Sequence, residues 1–168
     1  MAGSDRSPEE QAFQQIVAEL GEPMLIVTTV ARDGERSGCL IGFATQTSIH
    51  PPRFLACISD KNHTYRVARD ATHMAVHMVP EDRLDLAEVF GGETGDEDDK
   101  FAQCEWHDGP EGLPVLDGCP TWFAGRILER VPLGDHVGHL LEPSGGTDAD
   151  DAPLGFRRAM KIDPGHEA

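Results

Sequence analysis

Between Met24 and Glu142 the chain is a series of short apolar runs, each closed by a turn signal, and this rhythm restricts the fold more than any other feature. Met24 to Val30 is rich in β-branched residues. Arg32-Asp33-Gly34-Glu35 then supplies an Asp-Gly step suited to a tight turn, and a second apolar run extends towards Phe43, so a β-hairpin is expected. Further strands are expected at Arg53 to Ser59, after Pro51-Pro52, and at Thr72 to Val79, where Met74, Val76 and Met78 alternate with Ala75, His77 and Val79. Trp122 to Val131 and Val137 to Glu142 read as two more, separated by Pro132-Leu133-Gly134-Asp135. Such strands, with short helices between them and no regular βαβα alternation, favour a mostly antiparallel barrel over a doubly wound sheet. No G-x-G-x-x-G follows a strand, so a Rossmann site has no support.

The helices announce themselves by their caps. Ser7-Pro8-Glu9-Glu10 combines an N-cap, a first-turn proline and a capping-box Glu, followed by Phe13, Ile16, Val17 and Leu20 at helical spacing and then Gly21. Asn62 caps a short helix through Arg69. Pro80 to Phe90 carries Leu84, Ala87 and Phe90 at helical offsets and stops at Gly91-Gly92. Glu93 to Asp99 reads as a solvated acidic loop, and Pro143 to Pro153 as a mobile Gly/Asp-rich connection. With 168 residues the expectation is one domain, 1–168, with an N-terminal helix in 1–21 and a C-terminal extension at 143–168.

Charge and cysteine usage exclude several classes. Fourteen Lys and Arg against 30 Asp and Glu give a formal net charge of -16, which disfavours nonspecific attraction to nucleic acid or anionic lipid. No apolar run approaches the roughly 20 residues that cross a bilayer, and Met1 to Glu10 lacks a signal-peptide pattern, so a cytoplasmic protein without membrane association is expected. Cys39, Cys57, Cys104 and Cys119 form no Cys-x-x-Cys pair and read as reduced, packed thiols. His73 and His77 fall on a strand, where four residues span roughly 13 Å, too far to share a metal. His136 and His139 point to opposite faces, so no metal site is expected. No G-x-S-x-G elbow marks a serine hydrolase.

Three stretches carry candidate chemistry. Gly38 to Pro52, GCLIGFATQTSIHPP, runs from a strand into small and hydroxyl residues, and reads either as a strand with a Thr-rich turn or as a row of main-chain N–H groups for a flat polar ligand. Asp60-Lys61-Asn62-His63-Thr64 places an ammonium, an amide and a hydroxyl at a helix start, which suits an anion such as phosphate. On so acidic a chain a phosphate needs local donors, and Lys61 is one of only three lysines. Gly134-Asp135-His136 opens the last strand with a His able to face a cleft.

In this order, the hairpin ending in Gly38 to Pro52, the Lys61 to Thr64 turn, the Leu86-Ala87 to Phe90-Gly91 helix end and Gly134-Asp135-His136 resemble the flavin reductase-like family, across Met24 to about Glu142. The resemblance implies an FMN-binding split β-barrel, a homodimer with flavin near the subunit interface, and membership among the reductase components of two-component flavin monooxygenases. It implies that Leu40, Ile41, Gly42 and Phe43 lie along the isoalloxazine edge, and that Thr45, Gln46, Thr47 and Ser48 follow the ribityl chain towards the phosphate. Lys61, Asn62, His63 and Thr64 would complete the phosphate seat, and His136 would serve the nicotinamide and the ring during turnover. The family commonly carries Thr at the Leu40 position, a Ser pair at Gly42-Phe43 and Asp at His50. The lost hydroxyls shift ring contacts onto the main chain, which Gly42 allows to approach closely.

The expected activity is therefore hydride transfer from NADH or NADPH to FMN, with FAD as the larger alternative flavin and a monooxygenase as recipient of the reduced flavin. Two rivals share the barrel: a noncatalytic flavin-binding or flavin-delivery protein, and a protein whose planar ligand is a deazaflavin or haem.

Overall fold

The computed structural model describes residues 6–92, 99–159 and 161–163. The acidic run expected to be a solvated loop lies, apart from Asp99, outside the described residues. The first helix, α1 (Pro8–Glu19), starts as its sequence demands: Glu10 N–H donates to Ser7 Oγ at 3.2 Å while the Glu10 carboxylate accepts from Ser7 N–H at 2.8 Å. None of its residues is buried, and Phe13, Ile16 and the following Leu20 are 61, 61 and 68% exposed. Among the described residues, its apolar stripe is left largely exposed, with only Val17 and Ala18 partly covered.

The expected hairpin is β1 (Leu25–Ala31) and β2 (Arg36–Ile41), paired from Leu25↔Ile41 to Val30↔Arg36. There follow β3 (Ala44–Ser48), β4 (Arg53–Ser59), α2 (His63–Ala68), β5 (Ala71–Met78) and α3 (Leu84–Gly92). The rest comprises a small hairpin of β6 (Trp106–Asp108) and β7 (Pro114–Leu116), the long strands β8 (Trp122–Pro132) and β9 (His136–Thr147), and α4 (Phe156–Ala159). The main sheet is antiparallel in the order β2-β1-β5-β8-β9-β4-β3. Its two edge strands, β2 and β3, are consecutive in the chain and separated only by Gly42 and Phe43. The sheet must therefore curl until its edges meet across this two-residue bend, where Cys57 N–H donates to Phe43 O at 2.9 Å.

Strand β1 is buried along nearly its whole length, and its side chains alternate between two faces that divide the interior in two. Leu25 and Val27 point into the barrel with Ile41, Ala56, Ile58, Met74, Val76 and Leu141. Met24 and Ile26 point outward into a second cluster with Leu86, Ala87, Phe90, Leu116 and Leu154 beneath α3. The C-terminal segment straps this side: Met24 N–H donates to Leu154 O, Leu154 N–H to Val79 O and Phe156 N–H to Glu22 O, at 2.9, 2.7 and 3.0 Å.

Three features differ from the sequence expectation. The stretch after Phe43 is a strand rather than a turn, because Ala44 to Gln46 pair with Ala56 to Phe54; its polar, largely exposed side chains hide that pairing from any hydropathy pattern. The last strand runs on to Thr147 through Pro143, where a register shift between Ala124 and Gly125 accommodates the proline in a segment expected to be mobile. Helix α3 starts at Leu84, after a turn in which Arg83 N–H donates to Pro80 O at 3.0 Å. No helix among the described residues is long and apolar enough to cross a membrane.

Candidate functional site

Two turns from distant parts of the sequence meet beside the Gly42-Phe43 bend. Asp60 N–H donates to Asp135 O at 3.0 Å, tying the turn after β4 to the turn before β9. Ser37 on β2 shares a buried 2.8 Å hydrogen bond with Thr64 on α2. The rings of Phe43 and His136 stand 5.0 Å apart. The bend, the Lys61 turn and His136 thus form one corner of the molecule.

Within the bend the four expected ring-edge residues behave differently. Ile41 is buried in the barrel, and Leu40 packs against Gly91 of α3, so both side chains serve the core. Gly42 has no side chain and lies under the ring of Phe156, while Phe43 is 47% exposed. Among the described residues, no hydrogen bond uses the Gly42 N–H, the Gly42 C=O or the Phe43 N–H. This segment offers a ligand its main chain and the Phe43 ring rather than hydroxyls.

At the Lys61 turn, Asn62 Oδ1 accepts from Thr64 N–H at 2.8 Å and caps α2. Thr64 is buried, its hydroxyl engaged with Ser37, so it anchors the turn to β2. His63 Nε2 lies 3.1 Å from Glu35, and its Nδ1 lies 3.3 Å from Arg66. Lys61, His63 and Arg66 bring basic groups to one short stretch of an acidic chain. Arg66 was not singled out from the sequence, although its place one turn after His63 was a signal for it.

His136 Nδ1 lies 2.7 Å from Asp135 Oδ1. Against a carboxylate, Nδ1 carries the proton and donates, which leaves Nε2 for another partner. This hydrogen bond, followed by the charge of His136 and, more weakly, that of Lys61, holds the Asp135 carboxyl below its ordinary range.

The hydroxyl residues on β3 do not lead towards Lys61. Ser48 pairs with Arg53 at the start of β4, whereas Lys61 follows Ser59 at its end, a separation of roughly 20 Å at about 3.3 Å per residue. Thr45 Oγ1 donates to Gln46 O and Gln46 Nε2 to Ser48 O, both at 3.2 Å, so these groups are engaged locally. A tail running from the bend along Thr45, Gln46, Thr47 and Ser48 leaves the Lys61 turn behind. Thr45 and Gln46 instead border an apolar cavity of about 680 Å³ at the barrel mouth, with Leu25, Phe54, Met78, Trp122 and Phe123; Phe43, Lys61 and His136 lie off it. That volume falls within the range of small-molecule sites.

The thiols are free and placed for packing: burial pushes Cys39 up to about 11 and Cys119 up to about 12, which keeps them protonated. Among the described residues no three His, Cys, Asp or Glu side chains gather into a metal cluster.

One curled antiparallel sheet, whose two edge strands are linked by the Gly42-Phe43 bend, places the chain in the mainly-β, split-barrel class of folds. The profile of the family described as "Flavin reductase like domain" matches residues 17–161, and the chain belongs to that family. It is 29% identical over 139 residues to the reductase component of the flavin-dependent trigonelline monooxygenase of Acinetobacter baylyi, covering 83% of this chain but 44% of that protein. It is also 29% identical over 140 residues to the 4-hydroxyphenylacetate 3-monooxygenase reductase component of Pseudomonas aeruginosa, covering 83% and 82% of the two chains. With the FMN reductase (NADH) RutF of Cronobacter sakazakii it shares 30% over 128 residues, 76% of each. The crystal structure of a flavin reductase domain protein from Arthrobacter sp. FB24 superposes with a TM-score of 0.75 at 24% identity, covering 88% of this chain and 90% of that one, which shows the same fold.

Proposed function

We propose that this protein is an NAD(P)H:flavin oxidoreductase that binds FMN at the Gly42-Phe43 corner and supplies reduced flavin to a partner monooxygenase. The observation that carries this reading is the bend itself: main-chain groups that no described residue engages, a half-exposed Phe43 ring and His136 are gathered where the basic Lys61 turn also arrives. FMN has a flat ring edged with donors and acceptors and a dianionic phosphate tail, and the corner matches both ends in kind. The relatives named as monooxygenase reductase components and as an NADH-dependent FMN reductase support the same reaction, with NADH as donor.

When bound, FMN supplies the redox chemistry, accepting hydride from the nicotinamide. The protein's part is placement. Gly42 and Phe43 would present main-chain donors and an acceptor to the ring edge, with the Phe43 side chain beside it, and Lys61 with His63 and Arg66 would hold the phosphate. Asn62 and Thr64 hold that turn in shape. His136, oriented by Asp135, offers Nε2 to the donor or to the ring. Leu40 and Ile41 act through their main chain, and the β3 residues Thr45 to Ser48 border the barrel mouth beyond the ring.

The same reading includes a homodimer. The exposed stripe of Phe13, Ile16 and Leu20, and the apolar barrel mouth next to Glu22 and Pro23, are surfaces a second copy would cover. The four free thiols and a nicotinamide donor suit the reducing cytoplasm.

The test is anaerobic titration of purified protein carrying FMN. Bleaching of the bound flavin by NADH or NADPH is expected. Flavin that binds but resists both donors would turn the reading to a noncatalytic carrier, and absence of flavin binding would overturn it.

A further inference from the structure

The C-terminal strap brings an aromatic ring to the bend that no local sequence signal marked. Leu154 is fully buried beneath α3 and fixes the strap, and Arg158 Nη1 donates to Glu81 O at 3.0 Å further along. Phe156 stands between these anchors and is only half-buried, unlike Leu154. A Cβ at Gly42 would stand 2.8 and 3.0 Å from two atoms of the Phe156 ring, so the ring sits over the main chain of Gly42. The Phe156 and Phe43 ring centroids are 6.5 Å apart at 31°, and Phe43 in turn meets His136. A row of three rings thus lines the main-chain groups that no described residue uses.

We propose that Phe156 is a ligand-contacting, specificity-determining residue that forms an aromatic wall of the flavin ring site over Gly42. This rests on the flavin reading above. Glycine at 42 is the counterpart of the wall, because any side chain there displaces the ring. The wall replaces hydrogen-bonding side chains with an apolar face, and so favours a flat ring in stacked or edge contact over a smaller polar ligand. Its contribution falls on the ring system and not on the phosphate, which distinguishes Phe156 from Lys61.

The experiment measures FMN and riboflavin dissociation constants and bound-flavin absorption spectra for wild type, Phe156→Leu and Phe156→Ala, with Gly42→Ala added to wild type and to Phe156→Ala. Phe156→Leu keeps apolar bulk on the strap, so a folded protein is available even if Phe156→Ala unfolds. Expected are about tenfold weaker binding of both flavins by Phe156→Leu, an unchanged FMN-to-riboflavin ratio and a shifted flavin band. Gly42→Ala is expected to weaken binding in wild type but to add little in Phe156→Ala, a coupling that a purely structural role would not produce. Wild-type affinity and spectrum in Phe156→Leu, or a loss confined to FMN, would overturn the proposal. A wild type that binds neither flavin would instead remove the flavin reading itself, and this proposal with it.

Discussion

Polar groups are treated in opposite ways on the α3 side of β1 and at the Gly42-Phe43 corner. On the α3 side His77, Lys100 and Thr28 are buried, turned inward and hydrogen-bonded. His77 is fully buried, with Nδ1 3.0 Å from Ile26 O and Nε2 accepting from Leu116 N–H at 3.1 Å. Lys100 is also buried and donates to Gly38 O and Phe90 O, both at 3.1 Å, while Thr28 Oγ1 donates to Pro114 O at 2.6 Å. At the corner, main-chain groups are left without partners among the described residues, and Phe43 is half exposed. Buried polar groups cost stability unless hydrogen-bonded, so the first region is built to hold the fold. The second leaves bonding capacity for something that is not protein.

If the two regions are separable in this way, damage to the first should spare the ligand. Phe90 is 1% exposed and packs edge-on against Phe101. Phe90→Ala is expected to lower unfolding free energy by about 3–5 kcal/mol in a denaturant titration while FMN affinity of the folded fraction stays within about twofold. A parallel collapse of FMN affinity would join the regions into one unit.

Acid provides a second separation. Burial, opposed by the hydrogen bond to Ile26, lowers His77 from 6.5 to about 4. The unfolded chain therefore binds a proton that the folded chain refuses between those values. The stabilisation is complete above about pH 6.5 and is lost as pH falls towards 4, amounting to about 3 kcal/mol from this residue. His139, also lowered by burial, adds loss of the same sign. Melting temperature should fall over this window in wild type and much less in His77→Gln. An equal fall in both would assign the acid sensitivity elsewhere.

The corner is probed by charge. Lys61→Ala is expected to weaken FMN binding by about 1.5–3 kcal/mol, the worth of a charge-assisted hydrogen bond, and to leave riboflavin binding nearly unchanged. Equal losses for both flavins would remove Lys61 from the phosphate and shift that role to Arg66 and His63.

The two regions were also unequally legible in the sequence. The α1 cap, the Asp33-Gly34 hairpin and the Asn62 cap were readable because each depends on contacts within a few residues, and all three are present. The pairing of Ala44 to Gln46 with β4 was not, since polar, solvent-facing residues form that edge strand and only the closure of the sheet demands it. Long-range assembly also explains the site. Lys61 and His136 could be singled out by type and Phe43 by the family resemblance, but the direction of β3 away from Lys61 depends on strand register. Phe156 reaches Gly42 from 114 positions further along a strap held by Leu154.

The smallest expected effect tests the corner's chemistry more than its binding. His136 contacts Phe43 at one side and gives Nδ1–H to Asp135, so its remaining nitrogen is the group that distinguishes it from an inert ring. One neutral hydrogen bond is worth about 0.5–1.5 kcal/mol, so His136→Ala is expected to slow flavin reduction at saturating NADH by roughly two- to twelvefold, with FMN affinity nearly intact. His136→Phe keeps the ring against Phe43 and removes the nitrogen, and should slow reduction to the same extent. If His136→Phe reduces flavin at the wild-type rate while His136→Ala does not, the residue acts only as a packing surface for Phe43. The donor would then be held by the main chain of the bend, and the corner would resemble the α3 side more closely than its exposed groups suggest.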